Sequence, residues 1–249
     1  MDKVQLFNIE ISSLTLNELL HQLKKGVLFT PNVDHLVTLQ KDYDFLCCYK
    51  TADWVVCDSR IVNLAAKFLG KGFKEVIPGS SFLPAFYNFH NANKNISIFL
   101  LGAAPGVGKV AMQNINEKVG WKIVIGAHSP SFGFEKNENE CSKIIDIVNK
   151  SGANVLVVGV GAPKQEKWIM KYKSEMSNID IFMALGATID FEAGNIKRAP
   201  KIIQKFYLEW LYRLMSEPRR LWKRYLIDDF PFFYLILKQK LGLYTDPFK

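Results

Sequence analysis

The chain has 249 residues, of which 49% are hydrophobic and 22% are charged, and its net charge is +8. This composition excludes a disordered chain and is sufficient for one α/β core with an additional segment. Apolar runs stay below the roughly 18 residues that cross a bilayer, and residues 1–9 lack the pattern of a signal peptide, so we expect a cytoplasmic location. The four cysteines form no C-x-x-C pair, which argues against disulfide and zinc frameworks.

Short apolar runs alternate with segments of helical periodicity, a pattern typical of a Rossmann-like, mostly parallel sheet flanked by helices. Predicted strands cover 4–9, 27–30, 54–57, 97–101, 122–125, 155–159 and 181–184. Thr15 and Glu18 form a capping box that opens a helix, which we expect Gly26 to close, and Pro105, Glu138 and Pro163 mark later helix starts. A composition change at 198–200 predicts an α/β domain of residues 1–197 and a helical appendage of residues 198–249.

Open α/β sheets bind ligands beyond the carboxyl ends of their strands. In this chain, segments 30–32, 58–60, 102–104, 161–166 and 186–190 follow predicted strands. We expect these segments to converge on one rim, with Thr30, Asn32 and Arg60 among the residues that face a ligand.

The segment 102–109, G-A-A-P-G-V-G-K, resembles a phosphate loop but fails its pattern. Val110 stands where a Walker A motif requires Ser or Thr, and the G-x-G-x-x-G spacing is absent. A structural turn is one interpretation. The other is that Gly102 and its neighbours let a phosphate approach the free N–H groups of a helix N-terminus.

The segment 161–168, G-A-P-K-Q-E-K-W, combines a glycine, a helix-starting proline and two donors at a helix N-terminus. Gly161 permits close backbone approach, while Lys164 and Gln165 offer a positive charge and an amide to an anion. The alternative is an ordinary capped turn with a solvated lysine.

Two aspartates follow strands, and each has a functional and a structural interpretation. Asp58 is either a general base or a helix cap, and Asp190 either recognises a ribose or base or caps a helix. The sole Asp-x-Asp sequence, Asp42 to Asp44, lies in a segment with helical periodicity, where residues two apart diverge. We therefore predict no metal site.

Five blocks occur in one order along the chain: T-P-N at 30–32, Asp58, G-A-P-K-Q-E-K-W at 161–168, K-R-A-P at 197–200 and E-W-L-Y-R-L-x-x-E-P-R-R at 209–220. Together they resemble the WecG/TagA/CpsF glycosyltransferase family. The resemblance implies an inverting transfer, independent of metal and of other cofactors, from a UDP-sugar to a polyprenyl-diphosphate-linked sugar. UDP-N-acetylmannosamine or its uronic acid is the usual donor, and the products enter surface polysaccharide or wall teichoic acid.

The resemblance also implies roles for individual residues. Asp58 matches the family's catalytic base, with Thr30 beside it, and Gln165 and Asp190 match contacts to the uridine. Arginines of the appendage reach into the site in this family when the appendage docks, and the matching residues are Arg213, Arg220 and one of the pair Lys223 and Arg224.

The basic and aromatic appendage could contact nucleic acid, a membrane surface or an anionic substrate, and charge alone does not separate them. With the resemblance, segments 206–224 and 230–237 indicate a peripheral protein on the inner face of the plasma membrane, with an anionic membrane surface rather than nucleic acid as partner. Packing of these helices into the core is the alternative, and assembly into a homo-oligomer stays open.

The chain departs from the family pattern at two places. Ser59 and Arg60 follow Asp58 where the family usually has Gly, and Val76 stands where many members carry an arginine. We hypothesise that Arg60 supplies the missing charge.

Two other classes remain as alternatives. One is a noncatalytic nucleotide-sugar-binding membrane protein. The other is a dinucleotide-dependent oxidoreductase, which the missing glycine fingerprint disfavours.

Overall fold

The computed structural model describes residues 2–196, residue 200 and residues 209–249. The domain boundary predicted between residues 197 and 198, and the first three residues of the K-R-A-P block, lie outside this range.

An antiparallel hairpin precedes the main sheet. Strand β1 (Lys3–Leu6) pairs with β2 (Ile9–Ser12), whereas the sequence predicted one strand over 4–9. The prediction was wrong because Phe7 has a positive φ of 53°, which turns the chain.

Six parallel strands form the main sheet, which confirms the predicted α/β class. They are β3 (Gly26–Phe29), β4 (Trp54–Val55), β5 (Ile98–Gly102), β6 (Val124–His128), β7 (Val155–Gly159) and β8 (Ile181–Ala184). Their order in the sheet is β4-β3-β8-β7-β5-β6. The predicted strands match these positions, although β4 is shorter and β6 begins later than predicted.

Helices cover both faces of this sheet. In chain order they are α1 (Leu16–Gln22), α2 (Val33–Thr38), α3 (Tyr43–Lys50), α4 (Arg60–Leu69), α5 (Gly79–Phe89), α6 (Val107–Val119), α7 (Glu138–Ser151), α8 (Lys164–Tyr172), α9 (Thr188–Ala193), α10 (Glu209–Ser216), α11 (Pro218–Lys223) and α12 (Pro231–Lys240). One apolar cluster includes α2, α3, α4, α7, α8 and α12. The other includes α1, α5, α6 and α9.

The predicted helix starts are largely confirmed. Thr15 and Glu18 form the capping box of α1, and α7 and α8 begin at Glu138 and directly after Pro163. The predicted end of α1 at Gly26 is wrong, because α1 ends at Gln22 and Gly26 donates its N–H to the Asp180 carbonyl as the first residue of β3.

The C-terminal segment packs on the body of the protein. In α12, Phe232 and Ile236 are buried in the first apolar cluster, and the Phe232 ring lies 5.9 Å from that of Phe7. Gln239 Oε1 accepts the Phe7 N–H at 3.0 Å. The turn of the N-terminal hairpin is therefore the anchor for α12.

Candidate active site

The carboxyl ends of the six parallel strands lie along one edge of the sheet, and the loops that follow them are joined by backbone hydrogen bonds. The Asp58 N–H donates to the Pro31 carbonyl at 3.2 Å, which links the loops after β4 and β3. The Ala103 N–H donates to Gly159, and Leu185 to Val158. The sequence-predicted segments therefore form one row, which we call the rim: 58–60, 30–32, 186–190, 161–166 and 102–104.

Glycines bring the backbones of three rim segments into close contact. A Cβ at Gly102 would lie 2.4 Å from the Gly159 carbonyl oxygen, and one at Gly159 would lie 2.5 Å from that of Gly186. Gly102 also has φ +132°, a conformation that L side chains rarely adopt. These glycines are therefore needed for the backbones of the loops after β5, β7 and β8 to pack this closely.

Asp58 is held against the N-terminus of a helix that is distant in sequence. Its Oδ1 accepts the N–H of Gly79, the first residue of α5, at 3.1 Å. The adjacent helix α4 is instead capped by Ser59, whose Oγ accepts the Val62 N–H. The Asp58 side chain therefore lies at the positive end of the α5 dipole and is partly exposed at the rim.

The neighbours of Asp58 on the rim differ in exposure. Thr30 is buried, while Asn32 is half-buried and caps α2 by accepting the His35 N–H at 3.2 Å. Arg60 is the first residue of α4 and is half-buried. The segment that contains Val76 lies against the same loop, since the Ile77 N–H donates to the Cys57 carbonyl at 2.7 Å.

In the G-A-P-K-Q-E segment, a buried amide is fixed at both ends. Gln165 Oε1 accepts the Gly161 N–H at 3.2 Å, and its Nε2 donates to Glu166 Oε1 at 2.8 Å. Gln165 is 2% exposed and Glu166 is fully buried. Sequence reasoning assigned a role to Gln165 but none to Glu166, although the motif contains both.

A polar cluster lies beneath this part of the rim. His35 Nδ1 and the Tyr49 hydroxyl are 2.8 Å apart in the buried interior. Burial raises the pKa of Glu166 to about 7, and the nearby Asp34 charge adds to this effect. Burial also raises the pKa of Tyr49 well above its usual value, with the Glu166 and Asp58 charges contributing.

Lys164 starts α8 at the outer side of the rim. Its Nζ lies 5.2 Å from the ring centre of Phe132, which is fully exposed on the loop after β6. Ser129 on the same loop donates its Oγ–H to carbonyl oxygens of Gly102 and Ala104. The loop therefore crosses the turn after β5 and reaches the start of α8.

Asp190 lies in the first turn of α9, directly after β8, and is half-buried. A cavity of about 420 Å³ lies at the other end of α9 and includes Tyr87, Lys118 and Glu192 in its lining. The Glu192 carboxylate accepts hydrogen bonds from the Tyr87 hydroxyl and Lys118 Nζ. This cavity is separate from the row of strand-end loops.

Asp42 does not face the rim. It caps α3 by accepting the Phe45 N–H, and both its oxygens lie 2.7 Å from Lys167 Nζ. In the part of the chain that the structure describes, no three His, Cys, Asp or Glu side chains are grouped to share a metal ion.

The predicted cationic residues of the appendage lie in the C-terminal part of the chain, which the structure describes from residue 209 onward. Arg213 lies in α10, Arg220 and Lys223 in α11, and Arg224 begins a π-helical turn that ends at Asp228. Lys223 is exposed, and the side chains of the three arginines lie outside the described atoms. Among the described helices, none has the length and apolar character to cross a membrane.

The chain matches a known protein family over nearly its whole length. The model of the Glycosyl transferase WecG/TagA/CpsF family matches residues 4–246, which include every rim segment and the C-terminal helices. The chain therefore belongs to the WecG/TagA/CpsF family and is a glycosyltransferase.

Proposed function

We propose that this glycosyltransferase moves a hexosyl group, with inversion and without a metal, from a UDP-sugar to a polyprenyl-diphosphate-linked sugar. The observation that carries the proposal is Asp58, a partly exposed carboxylate held at the N-terminus of α5 on a rim of strand-end loops. N-acetylmannosamine and its uronic acid are the donor sugars that the family resemblance favours. The product would enter surface polysaccharide or wall teichoic acid.

Asp58 acts as general base in the proposed reaction. Its carboxylate takes the proton of the acceptor hydroxyl while that oxygen attacks the anomeric carbon of the donor. The bond from this carbon to the diphosphate oxygen breaks on the opposite face, and its electron pair leaves with UDP. Attack and departure on opposite faces invert the anomeric centre.

The departing diphosphate needs positive charge on its side of the rim. The N-terminus of α8 with Lys164 provides partial and full positive charge, next to the closely packed turns at Gly102 and Gly159. We assign Gln165 and Asp190 to the uridine. Arg213, Arg220, Lys223 and Arg224 would complete the leaving-group side when the C-terminal segment covers the donor.

A lipid-linked acceptor requires contact with the membrane surface. One side of α12 packs on the body, while Phe233, Tyr234 and Leu237 are at least half exposed. Lys240 Nζ lies 5.3 Å from the ring centre of the exposed Phe68 on α4, so basic groups border apolar side chains. We propose that this surface rests on the anionic inner face of the plasma membrane.

The test is Asp58→Asn, assayed with a panel of UDP-sugars and a polyprenyl-diphosphate-sugar acceptor. Asn keeps an oxygen that can accept the Gly79 N–H but cannot take a proton, so we expect kcat to fall by roughly 10²–10⁴ with UDP affinity retained. Asp53→Asn is the matched control, since Asp53 also accepts a backbone N–H, from Val27, but precedes β4 at the opposite edge of the sheet.

Equal transfer by wild type and Asp58→Asn would remove Asp58 from this role. Binding of UDP without transfer by the wild type would favour the noncatalytic nucleotide-sugar-binding alternative.

A further inference from the structure

The side-chain amide of Gln165 has two of its four hydrogen-bonding positions occupied by described protein groups. Its oxygen accepts the Gly161 N–H, and one N–H donates to Glu166 Oε1 at 2.8 Å. The main-chain N–H of Gln165 also donates to the Gly161 carbonyl at 3.1 Å, which fixes the start of α8. The second N–H and the second lone pair of the oxygen are left for a ligand at the rim.

Glu166 is placed to fix the amide rather than to touch a ligand. It is fully buried, and its Oε2 has no hydrogen-bond partner in the described structure. Leaving a buried carboxyl oxygen unpaired is costly, so folding stability alone favours an apolar residue here. The cost is consistent with a function for the other oxygen.

We propose that Glu166 is a positioning residue that orients the Gln165 amide toward the uridine of the donor. This inference rests on the proposed function, because it assigns the ligand of Gln165. Without the acceptor at position 166, the amide would lose its fixed orientation and part of its affinity for the nucleotide.

The groups around Glu166 support a role inside the protein. Asp34 on α2 and Cys48 and Tyr49 on α3 lie within electrostatic range of its carboxyl. On its own helix, the neighbouring cation Lys167 is paired with Asp42. These surroundings favour a neutral carboxyl, which can still accept the Gln165 N–H.

The experiment is a double-mutant cycle on UDP affinity, measured by calorimetry with the full-length protein. We expect Glu166→Leu to weaken UDP binding by roughly tenfold and Glu166→Gln, which keeps an acceptor oxygen, by less than about threefold. Gln165→Ala should weaken binding to a similar extent as Glu166→Leu. In the Gln165→Ala background, Glu166→Leu should cause no further loss, since the amide that it positions is gone.

Two outcomes would overturn the positioning role. One is a Glu166→Leu protein that binds UDP as tightly as the wild type. The other is an equal loss with and without Gln165, which would indicate a general effect on the fold. If Glu166→Leu does not fold, Glu166→Met, with its unbranched side chain, replaces it in the same double-mutant cycle.

Trp168→Phe is the stability control, because Trp168 is buried on the same helix and its Nε1 also lacks a partner in the described structure. It should change the unfolding midpoint without changing UDP affinity. A wild type that fails to bind UDP would contradict the proposed function instead of the positioning role.

Discussion

Glu166 makes folding stability depend on pH in the direction opposite to most carboxylates. Its pKa is raised by burial from an ordinary value of 4.5 to about 7. Between these values the unfolded chain has released the proton and the folded chain still holds it, so stability falls as the pH rises. The shift corresponds to roughly 3 kcal/mol as an upper bound.

We therefore expect Glu166→Gln to gain stability relative to the wild type as the pH rises from 5 to 8. The measurement is urea unfolding of both proteins at intervals across this range. At pH 4 the difference should be smallest, because both states of the wild type hold the proton. A constant difference from pH 5 to pH 8 would contradict the raised pKa.

Arg60 lies at a position where a positive charge is unfavourable for the stability of helix α4. It is the first residue of α4, where the helix dipole disfavours a positive charge. If Arg60 supplies the charge that Val76 lacks, Arg60→Ala should reduce kcat/KM by roughly tenfold while the unfolding midpoint stays within experimental error or rises.

Arg219→Ala is the matched control for Arg60→Ala, because Arg219 also lies in the first turn of a helix but is exposed on α11. Unchanged rate and donor affinity for Arg60→Ala would rule the hypothesis out.

At the scale of elements, the close contact between β5 and β7 depends on Gly102. Gly102 and Gly120 both have positive φ, but a Cβ at Gly120 would meet no atom within 4 Å, whereas one at Gly102 would meet the Gly159 backbone. Both alanine variants should lose about 1 kcal/mol from backbone strain. Gly102→Ala should lose more, and its UDP affinity should also fall because the rim must shift.

Urea unfolding and UDP titration of the two variants separate these effects. Gly102→Ala and Gly120→Ala proteins with equal stability and equal UDP affinity would show that the rim tolerates a wider spacing between these strands.

The sequence predicted the main sheet well because its strands are short, continuous apolar runs between helices. Strands β7 and β8 match the predicted bounds, since both are buried along nearly their whole length. The hairpin was missed because its turn depends on a positive φ at Phe7, a residue with no turn signal. Local sequence also suggested that Asp58 caps the next helix, but its contact is with α5, 21 positions away.

In the candidate site too, the sequence predicted local features but not contacts between distant segments. Periodicity placed Gln165 and Lys164 at a helix start, and the rim followed from the carboxyl ends of the strands. Glu166 was not distinguished from a solvated residue by spacing. Its burial depends on α3, which packs against α8 from a distant part of the sequence.

For the whole molecule, the C-terminal helix α12 combines a buried side with an exposed apolar side. It is anchored in the core through Phe232, yet the adjacent Phe233 is 55% exposed and Leu237 is 50% exposed. Removing everything after residue 197 would delete a part of the core together with the proposed membrane surface. Substitutions on the exposed side separate the two.

We expect the double variant Phe233→Ser and Leu237→Ser to bind anionic lipid vesicles at least tenfold more weakly than the wild type, because both side chains lie one turn apart on the exposed side. Its transfer rate to a lipid-linked acceptor should fall, while UDP affinity and the unfolding midpoint stay unchanged.

Phe232→Ala is the contrasting control, with a loss of about 3–5 kcal/mol in stability from the buried side chain. Flotation with vesicles at low and high salt measures the effect, since the contribution of Lys238 and Lys240 is screened by salt. Wild-type protein that stays off anionic vesicles at low salt would remove the membrane surface from this side of the molecule and leave the acceptor to reach the rim by another route.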